Sequence, residues 1–278
     1  MTFSILARSA DGESWGVAVA SRFLAVGAAV PAARAGIGAV ATQAFANVAY
    51  KSDALGLLGA GHSASETLQL LLEGDEGRDR RQVGIVDAEG RAASHTGTDC
   101  SDWAGARVGP GYAIQGNLLV GEHVVIAMER AWLDSDPLAP LGRRLLDALA
   151  AGDESGGDRR GRQSAALLLV REQAGYGGFD DVAADLRVDD GSNPVFELRR
   201  LLDLHELYLS PSTDSEKVPV TSDLQEELAA LAGTCGFSSF AAWVDDRNYE
   251  LRVANDGSWV DQRVLAILRE TPPLALIS

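Results

Sequence analysis

Short runs of small and apolar residues, separated by turn residues, open the chain, and this pattern predicts strands. Residues 3–8 and 15–21 flank the dipeptide Asp11-Gly12, as the two strands of a hairpin do. Residues 26–30 and 37–43 are rich in Val, Gly and Ala, which predicts two further strands in which backbones approach closely. The chain therefore begins with several strands in succession.

Helical patterns alternate with strands after this first group. Residues 53–58 predict a helix, and Ser63 with Glu66 forms a capping box that opens a second helix. The later pattern predicts strands at 83–87, 92–96, 112–117, 165–170 and 185–189, and helices at 122–133, 138–150 and 194–205. This order predicts an α+β fold with two antiparallel sheets that are covered by helices on both sides.

The composition changes near the end of the chain, which predicts a domain boundary. Residues 208–222 are rich in Ser, Pro and charged residues, as linkers are. We therefore predict a large domain at 1–207 and a small, mainly helical domain at 223–278 with Phe237, Phe240, Trp243 and Trp259 in its core. A module of this size is only marginally stable alone, so we expect it to dock on the main body or on a partner.

Charge and cysteine content exclude several classes of function. The chain has 40 acidic and 24 basic residues and a formal net charge of −16, which argues against nucleic acid and anionic membranes as partners. Cys100 and Cys235 stand far apart, so neither a disulfide framework nor a structural zinc site is indicated. The N-terminus lacks an apolar leader, and no uncharged stretch is long enough to span a bilayer. We expect a cytoplasmic protein.

Thr2 is the first candidate for chemistry because a hydroxyl follows the initiator methionine at the head of a predicted strand. If Met1 is removed, Thr2 carries a free α-amine whose ordinary pKa, about 7.7 to 8.0, leaves it partly neutral near pH 7. One residue then supplies both a nucleophile and its base. The simpler alternative is that small residues follow Met1 because the methionine is then easily removed.

Four segments carry a resemblance to a known family: 1–5 (MTFSI), 16–22 (GVAVASR), 38–43 (GAVATQ) and 157–165 (GDRRGRQSA). Together they resemble an uncharacterised family of the N-terminal nucleophile (Ntn) hydrolase superfamily, over about residues 1–207. The resemblance implies a four-layer αββα sandwich in which an N-terminal residue cleaves an amide. The last part of the chain resembles a short domain associated with peptidoglycan binding.

The resemblance also implies roles for four residues. Asp158 and Ser164 would hold the amine and the attacking hydroxyl of Thr2 in register, and Arg22 would add positive charge at the end of its strand. For Asp158 the alternative is a structural ion pair with Arg159 or Arg160, and for Arg22 it is a salt bridge.

The beginning of the chain is more loosely similar to proteasome β subunits, with two departures. Ala20 stands where those subunits carry Asp before a Ser-Arg pair. Arg34 is the nearest counterpart of their lysine, although arginine does not exchange protons at neutral pH. The alternative for Arg34 is a solvated charge on a loop.

Substrate binding needs donors for a developing oxyanion and a partner for any charge on the substrate. The available neutral donors are Gln43, Asn47, Asn117 and backbone N–H groups of the glycine-rich segments, and the sequence does not rank them. Arg22 or Arg160 would receive a carboxylate.

Other catalytic signatures are missing from the sequence. His62, His95, His123 and His205 have no second ligand at metal-binding spacing, and no G-x-S-x-G elbow, phosphate-binding loop or dinucleotide fingerprint occurs. The acidic pairs at 180–181 and 189–190 are typical of turns. We therefore expect neither a metal nor a cofactor.

The leading hypothesis is an amidohydrolase that uses Thr2 to cleave a small amide or peptide-like bond. The first alternative is a non-catalytic binding protein whose C-terminal module recognises cell-wall fragments or a protein partner. The second alternative is a structural homo-oligomer. The sequence does not separate these three.

Overall fold

The computed structural model describes residues 2–272, and contacts divide the chain into two compact units between Leu202 and Asp203. Met1 lies outside the described residues, as do 273–278 of the predicted small domain. The elements up to this division are β1 Thr2–Arg8, β2 Ser14–Ser21, α1 Val26–Ala29, β3 Pro31–Arg34, β4 Gly38–Ala44, α2 Tyr50–Gly59, α3 Ala64–Glu73, β5 Arg81–Asp87, β6 Ala92–Thr96, β7 Gly105–Gly109, β8 Tyr112–Asn117, α4 His123–Asp134, α5 Leu141–Glu154, β9 Ser164–Arg171, β10 Val182–Val188 and α6 Pro194–Tyr208.

The strands of the first unit form two antiparallel sheets. One sheet has six strands in the order β10-β9-β2-β1-β8-β7, and the other has four in the order β3-β4-β5-β6. The predicted hairpins β1–β2 and β5–β6 are both present. The mixed α+β class with antiparallel sheets is confirmed, and β1 lies in the interior of the larger sheet between β2 and β8.

The prediction of a strand at 26–30 is wrong. Val26–Ala29 forms the short helix α1, because Ala25 has φ 52 in the left-handed region and turns the chain out of the direction of β2. The hydroxyl of Ser164 accepts a hydrogen bond from Val26 N at 3.1 Å and holds this turn in place. Gly27 is needed here, since an added Cβ would approach the Cβ of Ala166 to 2.6 Å.

Three groups of buried hydrophobic residues hold the first unit together. The first group joins one face of the six-stranded sheet, through residues such as Ile5 and Ile114, to α4, α5 and α6. The second group contains Val17 and Val19 of β2 together with Ala39 of β4 and Val86 of β5, so it joins the two sheets. The third group joins β4 and β5 to α2 and α3. Apolar burial of this kind contributes most of the stability of a domain.

The second unit contains α7 Ser222–Thr234, α8 Phe240–Asp246, α9 Gln262–Glu270 and a two-stranded antiparallel sheet of β11 Lys217–Pro219 with β12 Trp259–Asp261. Trp243 is buried at the centre of its core, with Leu228, Val264 and Leu268. The Thr221 hydroxyl caps the N-terminus of α7 by accepting from Leu224 N. The division between the units falls inside α6, whereas the sequence predicts a linker at 208–222. The predicted domain bounds stay a prediction.

The described part of the chain contains no helix that is long and apolar enough to cross a membrane.

Candidate active site

Thr2 is the first residue of β1 and lies between two neighbouring strands. Its partners in the antiparallel register are Ser21, the last residue of β2, and Asn117, the last residue of β8. Side chains alternate along a strand, so the Thr2 side chain shares a face with Ser4. Ser4 donates a hydrogen bond to Gln43 Oε1 of the second sheet at 2.8 Å. The Thr2 hydroxyl therefore lies on the face that is directed toward the second sheet.

The Thr2 hydroxyl has a second hydroxyl as its neighbour. Ser21 Oγ lies 3.1 Å from Thr2 Oγ1, and either group is able to donate the hydrogen bond. Both residues are buried. Ser21 is a functional candidate that sequence reasoning missed, although it belongs to the GVAVASR segment. Its position opposite Thr2 in the predicted hairpin was the signal that could have found it.

The Thr2 carbonyl is held by two side-chain amides. Gln43 Nε2 donates to Thr2 O at 3.2 Å, and Asn117 Nδ2 donates to the same oxygen at 3.5 Å. Each of these nitrogens also donates to Gln82 Oε1, at 2.8 and 2.9 Å respectively. A side-chain amide nitrogen carries two N–H groups, so both amides are fully used. Gln43 and Asn117 therefore hold the backbone of Thr2, and neither has an N–H left for an oxyanion, for which the sequence offers both among its neutral donors.

We call Gln43, Gln82 and Asn117 the amide network. Gln82 is its centre and is fully buried. Its Nε2 atom lies within hydrogen-bond distance of three acceptors: Thr96 Oγ1 at 2.9 Å, Gly105 O at 3.2 Å and Gly116 O at 2.8 Å. Sequence reasoning did not single out Gln82, because it begins an ordinary apolar strand pattern after Arg81.

The segment 157–161, here called the Asp158 loop, lies beyond Thr2 at the end of β1. Val120 N donates to Gly157 O and Arg159 N donates to Leu118 O, so the loop pairs with the chain that follows β8. Leu119 uses its own N–H and carbonyl to bond Trp103, which lies on the opposite side of that chain. The loop is therefore on the β1 side, in the place that β1 would take if it continued as a strand before Thr2.

The Asp158 carboxylate joins this loop to the end of β2. Its Oδ2 atom accepts from Arg22 N at 2.8 Å, and its Oδ1 atom accepts from Arg160 N at 2.8 Å. The Arg160 guanidinium forms an ion pair with it at 3.3 Å, while only 3% of the Asp158 side chain is exposed. The carboxylate thus fixes the geometry of the loop, and the structural ion pair considered from the sequence is present with Arg160.

Ser164 is placed next to Ser21 and not against Thr2. It pairs with Ser21 across β9 and β2, and its hydroxyl donates to Phe23 O while accepting from Val26 N. Ser164 therefore holds the turn that follows Arg22. In the strand order β9-β2-β1, Ser21 lies between Ser164 and Thr2.

A cleft with a volume of about 420 Å³ adjoins the Asp158 loop. Arg22 lines it and donates from its guanidinium to Arg162 O at 3.0 Å. Among residues 2–272, Arg22 forms no ion pair with a carboxylate. Arg162 also lines the cleft and pairs with Asp153 at 2.8 Å, which raises the pKa of the Arg162 guanidinium. We call this the Arg22 cleft.

Two residues considered from the sequence form no hydrogen bond with Thr2 within residues 2–272. Asn47 is in the turn before α2, where its Oδ1 atom accepts from Ala49 N, so its side chain organises that turn. Arg34 pairs with Gly38 at the start of β4, whereas Gln43 near the end of β4 contacts Thr2. Five residues of strand separate these ends by roughly 16 Å. Arg34 is an exposed charge, as in the alternative, but it lies at the end of β3 and not on a loop.

Three non-glycine residues near this end of the sheets have left-handed backbone. They are Ala25, Ala44 and Leu118, with φ of 52, 65 and 53. Ala25 comes after the end of β2, Ala44 follows Gln43 at the end of β4, and Leu118 follows the end of β8. Such conformations cost about 1 to 3 kcal/mol each and concentrate at functional sites. Their grouping around Thr2 marks this end of the sheets as a candidate site. In the described part of the chain, no group of three or more His, Cys, Asp or Glu side chains is arranged to hold a metal ion.

Comparison with known proteins gives a family but no activity. The model of a family of unknown function (DUF1028) matches residues 2–198. The chain is similar to the crystal structure of protein SPO2555 from Silicibacter pomeroyi, a DUF1028 structure, with 29% identity, a TM-score of 0.67 and coverage of 77% of this chain and 90% of that chain. Anbu (ancestral beta-subunit) from Yersinia bercovieri matches with 12% identity, a TM-score of 0.33 and coverage of 73% of this chain and 93% of that chain. No functionally curated protein matches the chain. Since the family model covers more than half of its length, this chain belongs to the family of unknown function DUF1028.

Proposed function

We propose that this chain is an N-terminal nucleophile amidohydrolase that is active once Met1 has been removed. The observation that carries the proposal is the position of the Asp158 loop. Thr2 lies opposite Asn117 and Asp158 lies opposite Leu119, so the loop takes the place that a continued β1 would reach two positions before Thr2. A chain end at Thr2 fits this arrangement, because the α-amine then lies at the end of the strand, next to its own hydroxyl.

The proposed reaction needs only groups that Thr2 and its neighbours supply. The Thr2 hydroxyl oxygen attacks the amide carbonyl carbon while its proton passes to the α-amine, directly or through one water. The tetrahedral intermediate collapses, the C–N bond breaks, and the leaving amine takes that proton. Water then adds to the resulting ester and releases the acid and the free Thr2 hydroxyl. Ser21 orients the Thr2 oxygen through its hydrogen bond at 3.1 Å.

The oxyanion requires donors that are still free when the substrate binds. Gln43 and Asn117 do not meet this requirement, since the Thr2 carbonyl and Gln82 use their N–H groups. We therefore assign the oxyanion to backbone N–H groups at this end of the sheets. Asp158 holds the loop beyond Thr2 against the end of β2, and Ser164 positions the turn after Arg22.

The proposal includes the finer architecture, a four-layer αββα sandwich of the Ntn type. Three buried clusters support it: helices on the larger sheet, the two sheets on each other, and α2 and α3 on the smaller sheet. We also propose that the protein is cytoplasmic, acts on a small amide without a cofactor and associates as a homo-oligomer. Arg22 or Arg160 would bind a carboxylate of the substrate.

A second candidate function is binding without catalysis. The observation in its favour is that the charged lining of the Arg22 cleft comprises Arg22, Arg162, Asp153, Glu154 and Asp158 but not Thr2. A charged ligand bound in this cleft would not need a nucleophile. In this case the second unit would recognise cell-wall fragments or a protein partner. That unit, residues 203–278, lies entirely outside residues 2–198, which the family model matches.

The experiment combines the intact mass of the protein, produced with its native first residue, with a β-lactone probe. The Thr2 hydroxyl would open the lactone ring and retain the whole probe as an ester. We expect the mass to lack one methionine and the labelled peptide to begin at Thr2. The variant T2S keeps a hydroxyl and should be labelled, whereas T2A should not be.

Two outcomes contradict the catalytic proposal. Retention of Met1 would block the amine and favour the binding function. Labelling of T2A to the same extent as wild type would place the reactive group elsewhere.

A further inference from the structure

We propose that Gln82 is a positioning residue for Thr2, an inference that rests on the proposed function. Gln82 does not touch Thr2. It acts through Gln43 and Asn117, the only two side-chain amides that bond the Thr2 carbonyl in the described part of the chain. A single oxygen, Gln82 Oε1, accepts from both of them.

The orientation of the Gln82 amide is fixed by its surroundings. Its Nε2 atom faces Gly105 O and Gly116 O, which only accept hydrogen bonds, and Thr96 Oγ1. The nitrogen must therefore point toward these three oxygens, and Oε1 must point toward Gln43 and Asn117. A reversed amide would bring oxygen against two carbonyls. The direction of both outer amides is fixed in turn, because each must present one N–H to Gln82 and the other to Thr2.

Several strands converge on this one side chain. Gln82 belongs to β5 of the smaller sheet, Gln43 belongs to β4, and Asn117 belongs to β8 of the larger sheet. The amide network therefore ties the end of β1 to both sheets. Buried networks in which every donor is used hold one geometry strongly, and a missing member leaves the others unpaired. We infer that Gln82 sets the position and orientation of the Thr2 backbone relative to the second sheet.

Gln115 provides a matched control. It is also a fully buried glutamine between the sheets, and its Nε2 atom donates to Ala41 O at 2.9 Å and to Ser4 Oγ at 3.5 Å. Its Oε1 atom accepts from Ser94 Oγ at 3.1 Å. Through Ser4, Gln115 reaches only the Oε1 atom of Gln43, whereas Gln82 accepts directly from the two amide nitrogens that bond the Thr2 carbonyl. Replacing either glutamine by methionine removes a buried amide with little change of shape, so both variants should lose stability, and only one should disturb Thr2.

The test compares Q82M with Q115M by two readouts in the full-length protein. The first is the rate at which the β-lactone acylates Thr2. We expect at least a tenfold decrease in Q82M and a change of less than threefold in Q115M, when both are measured well below their melting temperatures. The second readout is the NMR signal of the Thr2 methyl group, assigned with T2S. We expect this signal to shift or broaden in Q82M and to remain unchanged in Q115M.

A milder pair of variants keeps the test valid if Q82M does not fold. T96V removes one partner of Gln82, and S94A removes one partner of Gln115, both on the partly exposed strand β6. The Thr2 methyl signal should change in T96V and not in S94A. Equal effects in the two members of a pair would overturn the assignment, as would an unchanged Thr2 signal in Q82M. If wild-type Thr2 is not acylated, the proposed function fails, and the NMR comparison still decides the role of Gln82.

Discussion

The hydroxyl oxygens of Thr2 and Ser21 lie 3.1 Å apart at the paired ends of β1 and β2. We expect S21A to lower the rate of Thr2 acylation about tenfold, equivalent to about 1.4 kcal/mol, because the attacking oxygen loses its orienting partner. The variant S14A, at the other end of β2, is the control and should leave the rate unchanged. The measurement is the pseudo-first-order rate of β-lactone labelling. An S21A rate equal to that of wild type would remove Ser21 from the site.

Replacing Asp158 should loosen the loop beyond Thr2. Its carboxylate accepts backbone hydrogen bonds from Arg22 and Arg160 while nearly fully buried. Hydrogen bonds to a charged group are worth about 1.5 to 3 kcal/mol, so we expect D158N to lower the free energy of unfolding by about 2 kcal/mol. D185N breaks a more exposed ion pair with Arg187 and should change the free energy of unfolding by less than about 1 kcal/mol. Guanidinium denaturation measures both, and equal values would show that the loop does not depend on this carboxylate.

Arg22 should distinguish anionic from neutral ligands. Its guanidinium lines the Arg22 cleft, while its backbone N–H, which a substitution of the side chain retains, holds Asp158. We expect R22Q to lower the rate of labelling by a carboxylate-bearing β-lactone about tenfold, because one charge-assisted contact is lost. The rate of labelling by a neutral β-lactone should stay within about threefold of the wild-type rate. R34Q is the control, because Arg34 is exposed at the end of β3, opposite the start of β4 and so far from Gln43. The same loss with both probes would indicate a structural effect.

Asp75 should make the stability of the protein fall in acid. The Arg81 guanidinium, at 2.8 Å, holds the pKa of the Asp75 carboxyl well below its usual range, and Tyr50 donates a further hydrogen bond. An acid whose folded pKa is lowered stabilises the fold above its unfolded pKa of about 3.9, and this contribution is lost as the pH falls toward the folded pKa. D75N should therefore be less stable than wild type at pH 7 and approach it below about pH 3. Urea denaturation across this pH range measures the difference in free energy of unfolding between wild type and D75N. A difference that does not change with pH would contradict the role of Asp75.

The second unit contains a buried ion pair whose separation should be costly. Arg252 Nη1 lies 2.9 Å from Asp261 Oδ2, with 1% and 0% of the side chains exposed. Removal of one partner leaves an uncompensated charge, so we expect R252M to lose about 3 to 5 kcal/mol. The double variant R252M/D261N should recover part of this loss. Calorimetry of the full chain gives both values, and a double variant that is less stable than R252M would argue against the pair as the cause.

Much of the fold could be predicted from local patterns. The Asp11-Gly12 turn predicted the hairpin of β1 and β2, and Ser63 with Glu66 predicted the start of α3, where the capping box is present. The segment 26–30 was misjudged because its Val and Ala residues suit a strand, whereas the left-handed Ala25 and the Ser164 hydroxyl are tertiary features that local propensity does not contain.

The candidate site could be predicted only in part. Thr2, Asp158 and Ser164 stand out by position or motif, but the roles of Gln43 and Asn117 depend on which of their N–H groups are already used. That information is in the pairing of two sheets, because Gln82 reaches both amides only after β5 packs beneath β1 and β8. A glutamine at the start of an apolar strand gives no such signal in one sequence.

The Asp158 loop has a practical consequence for producing the protein. A tag placed at the N-terminus does not continue β1 as a strand, because Asp158 already takes the place opposite Leu119 that a longer β1 would use. We expect such a tag to turn aside near Thr2, where the proposed substrate would bind. Tagged and cleaved preparations are expected to differ in reactivity even when their melting temperatures agree, so screens for a substrate should use protein purified through a tag at the other end.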